Sequence, residues 1–470
     1  MAGMTDRIEH TLISLLGLEG VSTSDADRRL FASDALRPSR GLPSTQPTPR
    51  PQYIAWPRST QDVQAILRIA NETGTPVVPY GGGSGLMGGA TAFSGGIVLD
   101  MRRMNRVSLV NPEDRMVTAE AGAVLQDVNA ALRPHGLILG HDPWTVPVAT
   151  VGGTISTDSL GYLGAAYGSM GDQVLGLEAV LADGTLLKTR ALPRRATGPH
   201  LERLLIGGEG CFGVITAATL RAVPIPESRR LVAITFPSFV EGFRGVCELF
   251  RLGLTPSMID FGEELLSASP EGWGEAEPGA EMYLAFEGAA EVALALERRS
   301  LHVLEAAGGA RQPDTDADAF WNRRHAPALR FQQQRAESGT APYLQPHAGA
   351  RADFLHLPMP ASQVLPFREW CLAEMPGLGV QVREFGLWNR PELFSVVLVE
   401  PTDQGRLPAA AEAVLRRAQD VGGSMEYVHG VGTRLAHLME REHGAGLEIM
   451  RRIKRELDPN NVLNPGKLGL

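Results

Sequence analysis

The sequence predicts an α+β fold in which glycine-rich stretches flank a central domain with an antiparallel sheet backed by helices. Three observations carry this. Glycines cluster at 81–85, 152–153 and 207–213, and they return at 422–432. Between about 228 and 420 glycine thins out, and strand and helix patterns alternate. At 470 residues the chain exceeds the size at which one core stops growing, so at least two domains are expected.

Ile8, Leu12, Leu15 and Leu16 give the first segment an apolar helical face. Prolines from Pro38 through Pro57 make 37–58 extended. Ser59-Thr60-Gln61-Asp62 reads as a capping box; Val63, Ile66, Leu67 and Ala70 follow at helical spacing, and Gly74 stops the helix. A strand at 76–79 enters Pro79-Tyr80-Gly81-Gly82-Gly83-Ser84-Gly85-Leu86, and a second strand follows at 97–101. Strand, glycine loop, strand is not the strand, glycine loop, helix of a nicotinamide-binding unit, and G-x-G-x-x-G is absent from its proper place. A loop with almost no side chains can aim successive N–H groups into one concavity, which suits a pyrophosphate. The same residues also read as a plain glycine turn.

Residues 116–120 form a strand, and Val124, Val128 and Leu132 a helix. A hairpin spans 174–187 around Asp183-Gly184. Pro224 and Pro226 mark a domain boundary. Strands are expected at 231–236, 283–287, 354–357 and 394–399, with helices at 239–252 and 290–306. The last helix, carrying Leu447, Met450, Ile453 and Leu457, ends at Asp458-Pro459.

A formal net charge of −9 without a basic tract argues against nucleic acid as the partner. Cys211, Cys247 and Cys371 form neither a metal-type spacing nor a disulfide framework, which suits a reducing cytoplasm. No apolar stretch reaches the length of a membrane span, and the first 20 residues lack the cationic start and apolar centre of a signal peptide.

Seven motifs in order resemble one family. They are the loop 79–85, Thr150-Val151-Gly152-Gly153, Tyr167-Gly168, the run from Val174 to Asp183-Gly184, Gly208-Glu209-Gly210 through Thr216, His429-Gly430-Val431-Gly432, and Asp458-Pro459-Asn460-Asn461 with Leu463-Asn464-Pro465-Gly466-Lys467. Together they resemble the FAD-binding oxidoreductases of the vanillyl-alcohol oxidase or PCMH type. The nearest branches are the glycolate oxidase flavin subunit, D-lactate dehydrogenase and alkylglycerone-phosphate synthase. The resemblance implies an N-terminal helix and extended segment at 1–54, a two-part PCMH-type FAD-binding domain at 55–225, an α+β cap with an antiparallel sheet at 226–420, and a segment at 421–470 that returns to the FAD domain.

It also implies site residues. Gly81, Gly82, Gly83, Ser84 and Gly85, flanked by Pro79, Tyr80 and Leu86, would wrap the FAD pyrophosphate. Pro143, Val151, Gly152, Gly153, Ser156 and Thr157 would line the flavin and pyrophosphate. Gly210, Val214 and Ile215 would sit near the adenosine half, and Asn464 near the isoalloxazine ring. Covalently flavinylated branches carry a His after the glycine triplet; Ser84 stands there, and no Cys lies near 145–153, so non-covalent FAD is expected.

Oxidising an alcohol on a flavin needs a base for the hydroxyl proton and groups that hold the substrate. The resemblance makes His429 the base, with Tyr427 as a second donor or acid. Trp321-Asn322-Arg323-Arg324 resembles the family's W-x-x-R pattern, which puts Arg324 first and Arg330 second as partners for a substrate carboxylate. His347 and His356 follow as weaker candidates. Some 2-hydroxy-acid branches hold a divalent metal on two cap histidines and a Glu just before the His-Gly. Here 384–392 lacks histidine and Val428 precedes His429, so no metal is expected. The ether-forming branch has three histidines before Gly-Val-Gly; Tyr427 and Val428 occupy two of those places. The expected activity is therefore oxidation of a hydroxyl-bearing small molecule, a 2-hydroxy acid first, with electrons passed to oxygen or a redox partner. Oxidation of a phenolic or other alcohol, a flavin transferase, an FAD subunit of an electron-transfer complex, and a homodimer stay open.

Overall fold

The computed structural model describes residues 2–38, 40, 48–269, 272–345 and 349–470. His347 and part of the proline-rich 37–58 lie outside these residues. A small sheet holds the glycine loop. Its order is Val21–Ser22, Tyr53–Ala55, Ile97–Asp100, Val77–Tyr80, and the last three strands run parallel. The preceding helix, Thr60–Thr73, starts at Ser59, whose side chain accepts the Asp62 N–H, and stops at Gly74 in the left-handed region. The link between the parallel strands Val77–Tyr80 and Ile97–Asp100 contains the glycine loop and no helix, as the residue pattern predicts. Parallelism within this sheet was not foreseen.

Beside it stands a six-stranded antiparallel sheet centred on Val214–Pro224, which pairs with Met116–Glu120 and Val174–Val180 and, at its far end, with Leu137–Leu139. The cap sheet has seven antiparallel strands in the order Ala310–Arg311, Ser228–Phe236, Ala280–Gly288, Met258–Glu264, Gln381–Trp388, Leu393–Glu400, Arg351–Pro358. Phe261, Phe385 and Phe394 on its outer face pack under the helix Phe239–Arg251, with Phe239 and Phe261 stacked at 4.9 Å. The opposite face turns toward the glycine-rich domain. There Tyr162 lies 5.4 Å from Trp388, and Asn389 Nδ2 donates to the Gly161 carbonyl at 3.0 Å. The chain end returns to the glycine-loop strand: Val77 N–H donates to the Val462 carbonyl at 2.7 Å, and Asn464 N–H donates back to Val77 at 2.8 Å.

Candidate active site

The glycine-rich domain and the returning chain end leave an open cleft over the glycine loop. Its floor is a set of close backbone approaches. A Cβ on Gly81 would stand 2.3 Å from Thr150 Oγ1, and one on Gly82 would stand 2.1 Å from the Val148 carbonyl oxygen. Only glycine lets these segments meet. Thr150 Oγ1 also accepts the Gly153 N–H at 3.3 Å and so starts the short helix Val151–Ser156.

Pro79, Tyr80, Gly81, Gly82, Gly83, Ser84 and Gly85 line this cleft. Pro143, Gly152, Gly153, Ser156, Thr157, Gly210, Ile215 and His429 also line it. Leu86, Val151, Val214 and Asn464 do not; they support it from behind. The Leu86 carbonyl accepts Arg40 Nη1 at 3.4 Å, Val151 and Val214 sit in the core, and Asn464 Nδ2 donates at 2.7 Å to the carbonyls of both Gly89 and Glu209.

The arginines differ from expectation. Arg324 Nε donates to Asp142 Oδ2 at 2.8 Å, and its guanidinium lies 3.8 Å over the Trp321 ring. His325 adds a contact to Asp142 at 3.3 Å. Burial alone would raise the Asp142 carboxyl, but His325 and Arg324 outweigh it and hold it below the usual range. Arg324 is thus the counter-charge of Asp142 and offers no free fork to a substrate carboxylate. Arg330 is exposed on the helix Ala326–Ser338 and lines no part of the cleft. Tyr427 is also placed off the cleft. Its hydroxyl bonds Ser395 Oγ at 2.9 Å and the Leu393 carbonyl at 3.3 Å, and burial pushes it far up, so it is no acid at ordinary pH.

His429 stands at the cleft wall with its Nδ1 3.6 Å from Glu426 Oε2. The other Glu426 oxygen accepts three backbone N–H groups, of Tyr427 at 3.0 Å, Val428 at 2.8 Å and His429 at 3.1 Å. Burial raises this carboxyl, yet His429, His356 and the N–H of Val428 overcome that and hold it down to about 2. His356 lies behind, its ring 4.8 Å from that of His429. Among the described residues no three His, Cys, Asp or Glu side chains are arranged to hold a metal ion.

Glu426, Glu209 and Asp34 escaped the sequence reading. Glu209 and Glu426 lie inside glycine clusters whose glycines alone drew notice, and Asp34 precedes the first recognisable motif. Asp34 and Glu209 both line the cleft. Burial pushes both carboxyls up, Glu209 to about 7.

A cleft walled by backbone at 79–85, 152–153 and 209–213, with an imidazole on its wall, fits a large anionic cofactor with an aromatic ring. Residues 51–190 match the FAD binding domain, and residues 393–468 match the C-terminal domain of FAD linked oxidases. The chain is an FAD-linked oxidoreductase. This FAD-linked enzyme is 28% identical to the probable mitochondrial D-lactate dehydrogenase of Danio rerio, over 98% of this chain and 92% of the relative. It is 24% identical to the glycolate oxidase subunit GlcD of Bacillus subtilis, over 99% of this chain and 97% of the relative. The structure of p-cresol methylhydroxylase with substrate bound superposes with a TM-score of 0.79 at 17% identity, covering 100% of this chain and 98% of that one. The PCMH-type fold is thereby established. Among the described residues no helix is long and apolar enough to cross a membrane.

Proposed function

We propose that this enzyme oxidises the hydroxyl group of a small molecule, with 2-hydroxy acids the first class to test. The observation that carries the reading is His429, the imidazole on the wall of the cleft that fits FAD. The names of the relatives, a D-lactate dehydrogenase and a glycolate oxidase subunit, support the substrate class. Bound FAD would supply the two-electron acceptor for the substrate carbon. The chain's own residues would do the rest. The glycine loop 81–85 would hold the pyrophosphate through backbone N–H groups. His429 would take the hydroxyl proton as the C=O bond forms. The cap face around Trp388, packed on Tyr162 of the glycine-rich domain, would exclude water. Ser84 at the tether position supports non-covalent FAD, which acid precipitation should then release intact. The GlcD name supports a partner chain or a separate electron acceptor. Cytoplasmic residence is part of the proposal, against a relative named mitochondrial.

A second reading has a specific observation behind it. Arg324 is taken by Asp142, Arg330 faces solvent, and Asp260 lies on the cap face that turns toward the cleft domain, beside Tyr283 and Trp388. Such a face favours an uncharged alcohol, phenolic ones included, over a carboxylate. Anaerobic mixing of the holoenzyme with D- and L-2-hydroxy acids, phenolic alcohols and sugars separates the two. Bleaching of the oxidised-flavin band by one class assigns it; a panel that bleaches nothing removes the oxidation reading.

A further inference from the structure

The cap and the chain end bring together a group of side chains behind His429 that the motifs did not announce. His356 sits on the edge strand Arg351–Pro358, opposite Ser395 on Leu393–Glu400. Its Nδ1 is 2.7 Å from Ser395 Oγ, and Ser395 Oγ is 2.9 Å from the Tyr427 hydroxyl. Tyr427 ends the chain on the Leu393 carbonyl, which can only accept, so its hydroxyl donates there. Ser395 then donates either to Tyr427 or to His356 Nδ1. The His356 ring is fixed on its far side by this hydroxyl pair, and it meets the His429 ring at a tilt of 60°.

Among the described residues the carboxylate paired with His429 is Glu426, whose side chain is only 5% exposed. Three consecutive N–H groups fix one oxygen of that carboxylate and leave the other aimed at His429 Nδ1, at 3.6 Å. That nitrogen is buried and has no hydrogen-bond partner among the described residues. A small ring rotation closes the gap, and such contacts commonly tighten when the substrate binds. The remaining charges around the pair are Arg40 and Arg434, which share Asp353 beneath His356. Glu209 reaches the same loop at Val431 and Gly432. Burial, then the positive charges of His429, Arg40 and Arg434, pushes His356 down to about 3, so it stays uncharged.

We propose that Glu426 is the positioning carboxylate of His429, and that His356 is held behind it by Ser395 and Tyr427, so that a proton taken up by the imidazole pair rests on His429 and is balanced by Glu426. This rests on the reading of His429 as the base and says how the base is poised. The proton leaving the substrate oxygen goes to His429 Nε2 while Nδ1 turns to Glu426, and the carboxylate offsets the charge that forms. His356 denies the proton a second resting place. Neither Glu426 nor His356 lines the cleft, so both act through His429.

The test uses holoenzyme with ¹³C-labelled histidine, and wild type, E426Q, E426D, H356N and H429N. NMR titration needs no substrate, so it decides the charge states even if the oxidation reading fails. His356 should stay uncharged from about pH 5 to 8 in wild type. In H429N it should take up a proton at higher pH, because it no longer competes with a second imidazole for it. E426Q should lower the protonated share of His429 severalfold at a fixed pH, because the neighbouring carboxylate is gone, and E426D should restore it. With any substrate that bleaches the flavin, E426Q should move the acid limb of the rate to lower pH by about one unit and cut the rate above the limb about tenfold. A merely structural Glu426 would lower the rate without moving the limb. E426Q that retains FAD and leaves both the His429 titration and the limb unmoved overturns the proposal, as does a charged His356 at neutral pH.

Discussion

Glu209 is bonded to Gly432 by both of its carboxylate oxygens. Oε1 accepts the Gly432 N–H at 3.0 Å and Oε2 accepts it at 2.8 Å, while Oε1 also takes the Val431 N–H at 2.6 Å. The floor of the cleft is thereby pinned to the loop that carries His429. Burial pushes the carboxyl up to about 7, although the N–H bonds of Gly432 and Val431 and the nearby Lys467 pull the other way. A carboxyl raised in the folded state stabilises the fold below its unfolded value of 4.5, and that contribution is lost as pH rises through about 7. The shift corresponds to roughly 3 kcal/mol across that window. Glu209→Gln should therefore flatten the pH dependence of the denaturation midpoint between about pH 5 and 8, becoming the more stable form at the alkaline end. Parallel wild-type and variant curves would refute the assignment.

How much of this was legible follows from where each signal resides. The helix Thr60–Thr73, its Ser59 cap and its Gly74 stop are local, and so is the glycine loop; all were readable. The strands Met258–Glu264 and Gln381–Trp388 were not. Their outer positions are Phe261, Phe385 and Leu387, but their inner positions are Asp260, Gly262, Glu384 and Gly386, which read as breaks. Such residues occur there because that face turns toward the glycine-rich domain rather than toward the helix-covered core. Arg324 was readable as a cation, but its partner Asp142 lies 182 residues away, and no local pattern links them. Glu426 was hidden for a different reason: its role depends on three N–H groups converging in space.

The cap is fastened to the glycine loop by Arg335. Its Nη2 donates to the Leu30 carbonyl at 3.0 Å and its Nη1 approaches the Gly82 carbonyl at 3.5 Å, with the guanidinium 5.3 Å over Tyr80. No carboxylate pairs with it among the described residues, so its charge is uncompensated beside a loop that fits a pyrophosphate. Arg335→Ala should weaken FAD binding about tenfold, the scale of one charged hydrogen bond, and reduce the salt dependence of the affinity. Titration of apoprotein with FAD at two ionic strengths measures both. An unchanged affinity would limit Arg335 to holding the cap.

Gly82 and Gly85 offer a contrast within one loop. A Cβ on Gly82 would lie 2.1 Å from a backbone oxygen, Val148 O, whereas one on Gly85 would lie 3.3 Å from the side-chain oxygen Asp34 Oδ2. Backbone cannot give way as a side chain can. Gly82→Ala should therefore displace the 148–150 segment, cost at least about 1–3 kcal/mol and lose FAD, while Gly85→Ala keeps it. Flavin content of the two purified variants, with circular dichroism as a check on folding, tests this. Equal flavin retention would contradict the close packing of the loop on Val148.

Arg40, Asp353 and Arg434 join three distant parts of the chain in one buried group. Arg40 Nε donates to Asp353 Oδ1 at 2.9 Å, Arg434 Nη2 bonds Asp353 Oδ2, and Arg434 Nε donates to the Arg40 carbonyl at 2.8 Å. Asp353 is fully buried, and Arg434 is 3% exposed. Two cations share one carboxylate, so the three residues are not equivalent. Removing Arg40 leaves Asp353 and Arg434 as a balanced pair. Removing the Asp353 charge leaves two buried guanidiniums facing each other, with Glu426 the next carboxylate in electrostatic reach of Arg434. Asp353→Asn should cost about 3–5 kcal/mol, the scale of an uncompensated buried charge, and Arg40→Met clearly less. The order of the two denaturation midpoints is the measurement, since both variants remove bonds of the same group. If Arg40→Met proves the more damaging, the group is held by the packing and hydrogen bonds of Arg40 to Leu86 and Phe354 rather than by its charge balance.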